Sequence, residues 1–127
     1  MYLLDTHTLL WYLNDSEQLS DTARNLINCE KNISVSIVSF WEIALKKNLG
    51  KLNFSCSITE IENLCLKKNI NILSIKSTHL DELANLPPIH NDPFDRLIIA
   101  QAKIENLILI TKDKIIPKYE IIKVLWS

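Results

Sequence analysis

Short runs of branched aliphatic residues alternate along this chain with longer stretches whose apolar residues recur every three to four positions. The runs at 2–4, 33–36, 70–73, 107–110 and 121–125 are too short for helices. They are also too evenly apolar for strands wetted on one side, so they predict strands covered on both faces. The periodic stretches predict helices over 8–13, 21–29, 37–48, 59–68, 78–86 and 93–105. Alternation of this kind predicts an α/β fold, a single-domain α/β/α sandwich over residues 1–127. Its central sheet is mostly parallel, with about five strands, and each crossover is expected to be right-handed and to join neighbouring strands.

Proline sharpens one boundary. Pro87, Pro88 and Pro93 bracket residues 90–92 and keep that loop out of the helical region, which makes it a rigid approach to a helix starting at Pro93. Gly50 is the one glycine in the chain, so no glycine-rich loop can close around phosphates and nucleotide-binding fingerprints are excluded.

Composition then narrows the partners. With 127 residues, 47% hydrophobic and 23% charged, the chain suits one globular core. A formal net charge of −1 rules out a global basic field, so a nucleic-acid partner requires a local patch or a bound cation. Cys29, Cys56 and Cys65 lack the paired spacing of a zinc or redox site and are expected to be buried thiols. The start MYLLD is no leader, and no apolar run has the length of a membrane span, so a cytoplasmic protein with no membrane partner is expected.

In open parallel sheets ligands bind beyond the carboxyl ends of the strands, and acids recur there in this sequence. Asp5 follows the first predicted strand, Glu42 lies in the helix after the second, Asp95 opens the helix before the fourth, and Asp113 follows the fourth. Each has an ordinary structural role available. Asp5 suits a helix cap, Glu42 a capping box with Ser39 or a surface pair with Lys46, Asp92 an N-cap ahead of Pro93, and Asp113 with Thr111 a turn. Asp95, however, heads the column of Ile98, Ile99 and Ala102, where an unpaired charge is costly. Separate structural roles do not account for four acids converging on one sheet edge, where repulsion raises their pKa values. One or two divalent cations remove the conflict, and hard oxygen donors favour Mg²⁺ or Mn²⁺.

The ordered segments LLDTHTLLWYL, SVSIVSFWEIALKKNLGKL, LPPIHNDPFDRLIIAQA, ITKD and IIKVLW resemble PIN-domain ribonucleases, and in particular VapC-like toxins of type II toxin–antitoxin modules. Residues 52–85 carry little of the likeness. The resemblance implies an Mg²⁺- or Mn²⁺-dependent endoribonuclease that hydrolyses RNA with a metal-activated water, leaving a 5′ phosphate and a 3′ hydroxyl. It also implies a homodimer and a cognate antitoxin. On this mapping Asp5, Glu42, Asp95 and Asp113 form the catalytic, metal-holding quartet, with Thr6, Thr111 and Asp92 orienting carboxylates or acting as a cap. His90, Arg96 and Lys46 are candidate contacts to RNA or the partner, against the commoner readings of an exposed loop histidine and solvated surface cations. Trp11, Trp41 and Trp126 are candidates for base stacking, although the register of Trp41 with Val38 and Leu45 favours packing in the core. The competing functions are a noncatalytic PIN-like module that docks a basic peptide, a housekeeping RNA-processing nuclease and a receiver-like phosphoacceptor.

Overall fold

The computed structural model describes residues 1–126. Its elements, in chain order, are β1 (Tyr2–Leu4), α1 (Thr6–Leu13), α2 (Asp21–Cys29), β2 (Ile33–Ser36), α3 (Ile37–Asn48), α4 (Ile58–Lys67), β3 (Asn71–Leu73), α5 (Ser77–Ala84), α6 (Pro93–Ile104), β4 (Ile108–Ile110) and β5 (Lys123–Leu125). A 3₁₀ turn, Ile116–Lys118, lies between the last two strands. The expected α/β fold with a five-stranded sheet is present, and every strand pair is parallel, in the order β3-β2-β1-β4-β5.

The period-2 alternation of strand side chains divides the core. Leu4, Ile33, Val35 and Ile110 point to one face, where Leu9, Ile27, Ile43 and Ile61 from α1 to α4 cover them. Leu3 and Leu109 point to the other, against Leu97, Ile98, Ile99 and Ala102 of α6 and against Ile116 and Tyr119. Each fully buried aliphatic side chain contributes about 1.5–3 kcal/mol.

Two expectations fail. The connection from β3 to β4 does not join neighbours, because it carries the chain past β2 and β1 to the far side of β1. That placement puts the two most apolar strands side by side, with Leu3, Leu4, Leu109 and Ile110 all fully buried. Nor are all strands covered on both faces. β3 and β5 are sheet edges, where Asn71 and Lys123 are exposed and their neighbours half-buried.

Helix termini explain how one glycine suffices. Asp5, Ser20, Ser36, Ser57 and Asp92 each accept a backbone N–H as N-caps. The left-handed residue beyond a helix is Gly50 after α3, but Asp15, Asn69 and Asn106 after α1, α4 and α6. Among the described residues no helix is long and apolar enough to cross a membrane. Cys29, expected to be buried, is exposed at the last turn of α2, while Cys65 is buried and its thiol is pushed up to about 11 by desolvation.

Candidate functional site

The sheet order reverses at β1, whose neighbours β2 and β4 are reached by connections leaving on opposite sides, so a crevice opens at the carboxyl ends of β1 and β4. Asp5 leaves β1 directly into it. Asp5 is both a cap and a buried acid, since its Oδ1 accepts from the Thr8 amide at 2.9 Å and its Oδ2 accepts from the Thr111 hydroxyl beyond β4. Burial raises the Asp5 pKa in spite of these hydrogen bonds. The Thr111 hydroxyl also accepts the Asp113 amide at 3.0 Å and so joins two of the predicted acids.

On α3 the N-cap is Ser36, which accepts from Val38 at 3.0 Å, so the capping box expected of Ser39 and Glu42 does not form. Ser39 lies inside the helix and accepts from the Thr6 hydroxyl at 2.9 Å. Thr6 therefore ties α1 to α3, and among the described residues its hydroxyl has Ser39 rather than a carboxylate as partner. With Ser39 and Ile43 at the centre of the buried arc, Glu42 is turned inward and only 3% exposed. The same rotation leaves Trp41 55% exposed, edge-on to Phe94 at 4.8 Å, which corrects its expected place in the core. Glu42 Oε2 accepts from Lys46 Nζ at 2.7 Å, a pair expected at the surface whose acidic end is buried. Glu42 Oε1 has no partner. It and Arg96 Nε are the buried side-chain atoms without one among the described residues.

At α6 the cap and the first-turn acid separate as expected. Asp92 Oδ1 accepts the amides of Phe94 at 2.8 Å and Asp95 at 3.2 Å, with Pro93 between them. Asp95 sits over the buried Ile98, Ile99 and Ala102. Its carboxyl is pushed up to about 7 by desolvation first, then by the charges of Asp92, Asp5 and Glu42, with His90 acting the other way. Asp5, Glu42 and Asp95 thus act on one another, and Asp113 joins them within 4.8 Å of Asp95 and through the hydroxyl of Thr111.

His90 is not the exposed loop residue expected, because only 7% of it is accessible. Its Nδ1 accepts the Asp92 amide at 3.0 Å, which leaves the ring proton on Nε2. Nε2 then donates to Asp113 Oδ2 at 2.9 Å and lies 3.2 Å from Asp95 Oδ2. Burial works against the Asp113 charge. The His90 hydrogen bond and the amides of Ile115 and Ile116 outweigh it and hold the carboxyl below its ordinary range. Tyr119 fixes the loop, accepting the amides of Ile89 and His90 and donating to the Pro87 carbonyl at 2.7 Å. Sequence reasoning missed both Tyr119 and the burial of His90. The three prolines marked the rigid loop, but nothing marked its anchor. Arg96, a candidate for RNA contact, donates to the Leu86 carbonyl at 3.3 Å and supports the same loop.

A divalent cation suits this donor set. His90, Asp95 and Asp113 offer atoms within 4.8 Å of one another, Glu42 Oε1 is a buried oxygen lacking a donor, and Asp5 and Asp95 both resist ionisation. Ligation through His90 Nε2 would move its proton to Nδ1, against an amide hydrogen. The carboxylates therefore fit a cation better than His90 does, and His90 instead contacts Asp113 and faces Asp95. Lys46, whose pKa is raised by its hydrogen bond to Glu42 and also by the charges of Asp92 and Asp95, stands over the same cluster.

The family model for the PIN domain matches residues 2–122. No curated protein matches the chain. Among solved structures, the chain is similar to one in VapBC2 from Rickettsia felis bound to a DNA fragment from their promoter, with 16% identity, a TM-score of 0.73, and coverage of 98% of this chain and 96% of that one. A chain of VapBC-1 from nontypeable Haemophilus influenzae gives 21% identity and a TM-score of 0.71, covering 98% and 96% respectively. A chain of a toxin–antitoxin complex from Klebsiella pneumoniae gives 19% and 0.67, covering 99% and 97%.

Proposed function

The chain belongs to the PIN domain family, and from that premise we propose that it is a divalent-cation-dependent endoribonuclease, the toxin of a toxin–antitoxin pair. The observation that carries this reading is the acidic cluster at the β1/β4 crevice, with its unpartnered Glu42 oxygen and its reluctantly ionised Asp5 and Asp95. Asp5, Glu42, Asp95 and Asp113 would hold one or two Mg²⁺ or Mn²⁺ ions. When bound, such an ion supplies Lewis-acid polarisation of a phosphodiester and lowers the pKa of a water beside it.

The chain's own residues then have distinct tasks. Thr111 orients the Asp5 carboxylate, His90 fixes Asp113 and faces Asp95, and Asp92 holds the helix end on which Asp95 rides. Lys46 neutralises Glu42 and, on release, brings a positive charge to an RNA phosphate. The likeness to chains of VapBC and toxin–antitoxin assemblies supports a cognate antitoxin as partner, and a homodimer is what membership of the family leads us to expect.

The test is incubation of the purified protein with structured RNAs in Mg²⁺ or Mn²⁺. Cleavage should stop on addition of EDTA and in Asp5→Asn, and cleavage indifferent to both ends the proposal. One observation favours a second reading, a noncatalytic module that docks a basic peptide: an ammonium group, that of Lys46, already pairs with one oxygen of Glu42. Calorimetric titration separates the two, since the module requires no heat of divalent binding at millimolar ion.

A further inference from the structure

We propose that the hollow beside Asp5 and Asp113 is a nucleobase subsite, in which one unpaired base next to the reacting phosphodiester stacks on His7, backed by Trp11. The proposal rests on the ribonuclease reading above and names residues that it does not use. Asp5, His7, Trp11, Gln18, Lys112 and Asp113 line a cavity of about 370 Å³, within the range of small-ligand sites. Two of its walls are acids of the candidate site, so the hollow is continuous with the place where the phosphodiester would lie.

The aromatic wall is built by helix periodicity. His7 and Trp11 are four residues apart on α1, and their rings stack at 5.7 Å with an interplanar angle of 20°. Trp11 is half-buried and braced edge-on by Trp126 at 5.9 Å, whereas His7 is exposed and lines the hollow. A rigid aromatic pair at the wall of a hollow is what a splayed base requires. Lys112 Nζ lies 5.8 Å from the Trp11 ring centroid and lines the same hollow, so it supplies a positive charge there that can attract a nucleotide phosphate. Gln18 adds an amide able to meet a base edge. An acidic cluster of its own repels an RNA backbone, and this wall supplies the attraction on its β4 side.

His7→Ala is the informative variant, because His7 is exposed and its loss leaves the core intact, while Trp11 packs against the core and its removal risks unfolding. Binding is read by fluorescence anisotropy, in an Asp95→Asn background that prevents turnover, using an RNA whose cleavage position has been mapped with the wild-type protein. His7→Ala should weaken binding by roughly 5- to 150-fold, the range for loss of one stacked base, and His7→Phe should restore it. An abasic nucleotide at one position flanking the cleaved bond should erase the difference between His7 and Ala. Unchanged affinity in His7→Ala, or a loss that persists with every abasic RNA, overturns the subsite while cleavage by the wild type still stands. Absence of cleavage by the wild type overturns the nuclease reading, and the subsite with it.

Discussion

His79 and His90 are buried histidines of the same construction in different company. Each accepts a backbone amide at Nδ1, from Lys76 for His79 and Asp92 for His90, both at 3.0 Å, and each turns its Nε2 proton toward a carboxylate. Around His79 the polar groups are satisfied. Nε2 meets Glu105 at 2.7 Å, Lys76 stands 3.4 Å from the same acid, and Gln101 bonds Ser36, the Ser74 carbonyl and Nδ1 of the ring. Around His90 one N–H faces two acids, three more acids act on Asp95, and an oxygen of Glu42 has no donor. A buried polar network that is complete specifies a fold, whereas one short of positive charge marks a place for something absent from the chain.

The largest contrast expected from this difference is in activity. Asp5→Asn removes an acid without changing shape and should lower RNA cleavage by roughly 10²-fold or more, about 3 kcal/mol of barrier. Glu105→Gln should leave the rate of the folded protein within about twofold, since Glu105 belongs to the complete network. Steady-state cleavage assays on the two variants decide it, and equal losses would dissolve the distinction.

Metal should stabilise one region only. At a free Mg²⁺ or Mn²⁺ concentration 100 times its dissociation constant, the wild-type protein gains about 2.7 kcal/mol, read as a rise in Tm. Glu42→Gln should lose much of that gain. His79→Leu instead lowers stability with or without metal by roughly 1–3 kcal/mol, read as a fall in Tm, because the Lys76 amide and the Gln101 side chain lose their acceptor. A metal-dependent Tm shift lost in His79→Leu but kept in Glu42→Gln would reverse the assignment.

How much of this was legible beforehand follows from which interactions are local. Asp5 after a strand, Asp92 before Pro93 and the aliphatic runs are signals within a few residues, and the element order and the five parallel strands follow from them, whereas the crossing from β3 to the far side of β1 is a long-range choice that no local signal carries. What depended on rotation about a helix axis was harder. Trp41 and Glu42 are adjacent, and a turn of α3 by part of one residue decides which is buried. His90 lies in a loop, where no periodicity exists, and its burial depends on Tyr119, 29 residues away. The satisfied network at His79 was invisible for the same reason, since its members come from β2, α5 and α6 and none stands out alone.

The two regions should also respond to pH with opposite signs. In metal-free protein the Asp95 pKa is raised to about 7, so between about pH 4 and 7 the folded state holds a proton that the unfolded chain has released, and stability falls as pH rises through that window. The effect is on the order of 1–2 kcal/mol after solvent relaxation. Asp95→Asn should remove it, and saturating Mg²⁺ should flatten it by favouring the ionised carboxylate. Glu105, whose pKa is lowered chiefly by the His79 hydrogen bond, contributes stability above its ordinary range that is lost as pH falls through the lowered value. Thermal melts in EDTA from pH 4 to 8 should therefore show a decline in the wild type that Glu105→Gln retains in full and Asp95→Asn reduces to the part contributed by Asp5, whose pKa is also raised by burial. A wild-type curve flat across that range would mean that Asp95 ionises freely without metal, and the shortage of positive charge that separates the two histidines would be gone.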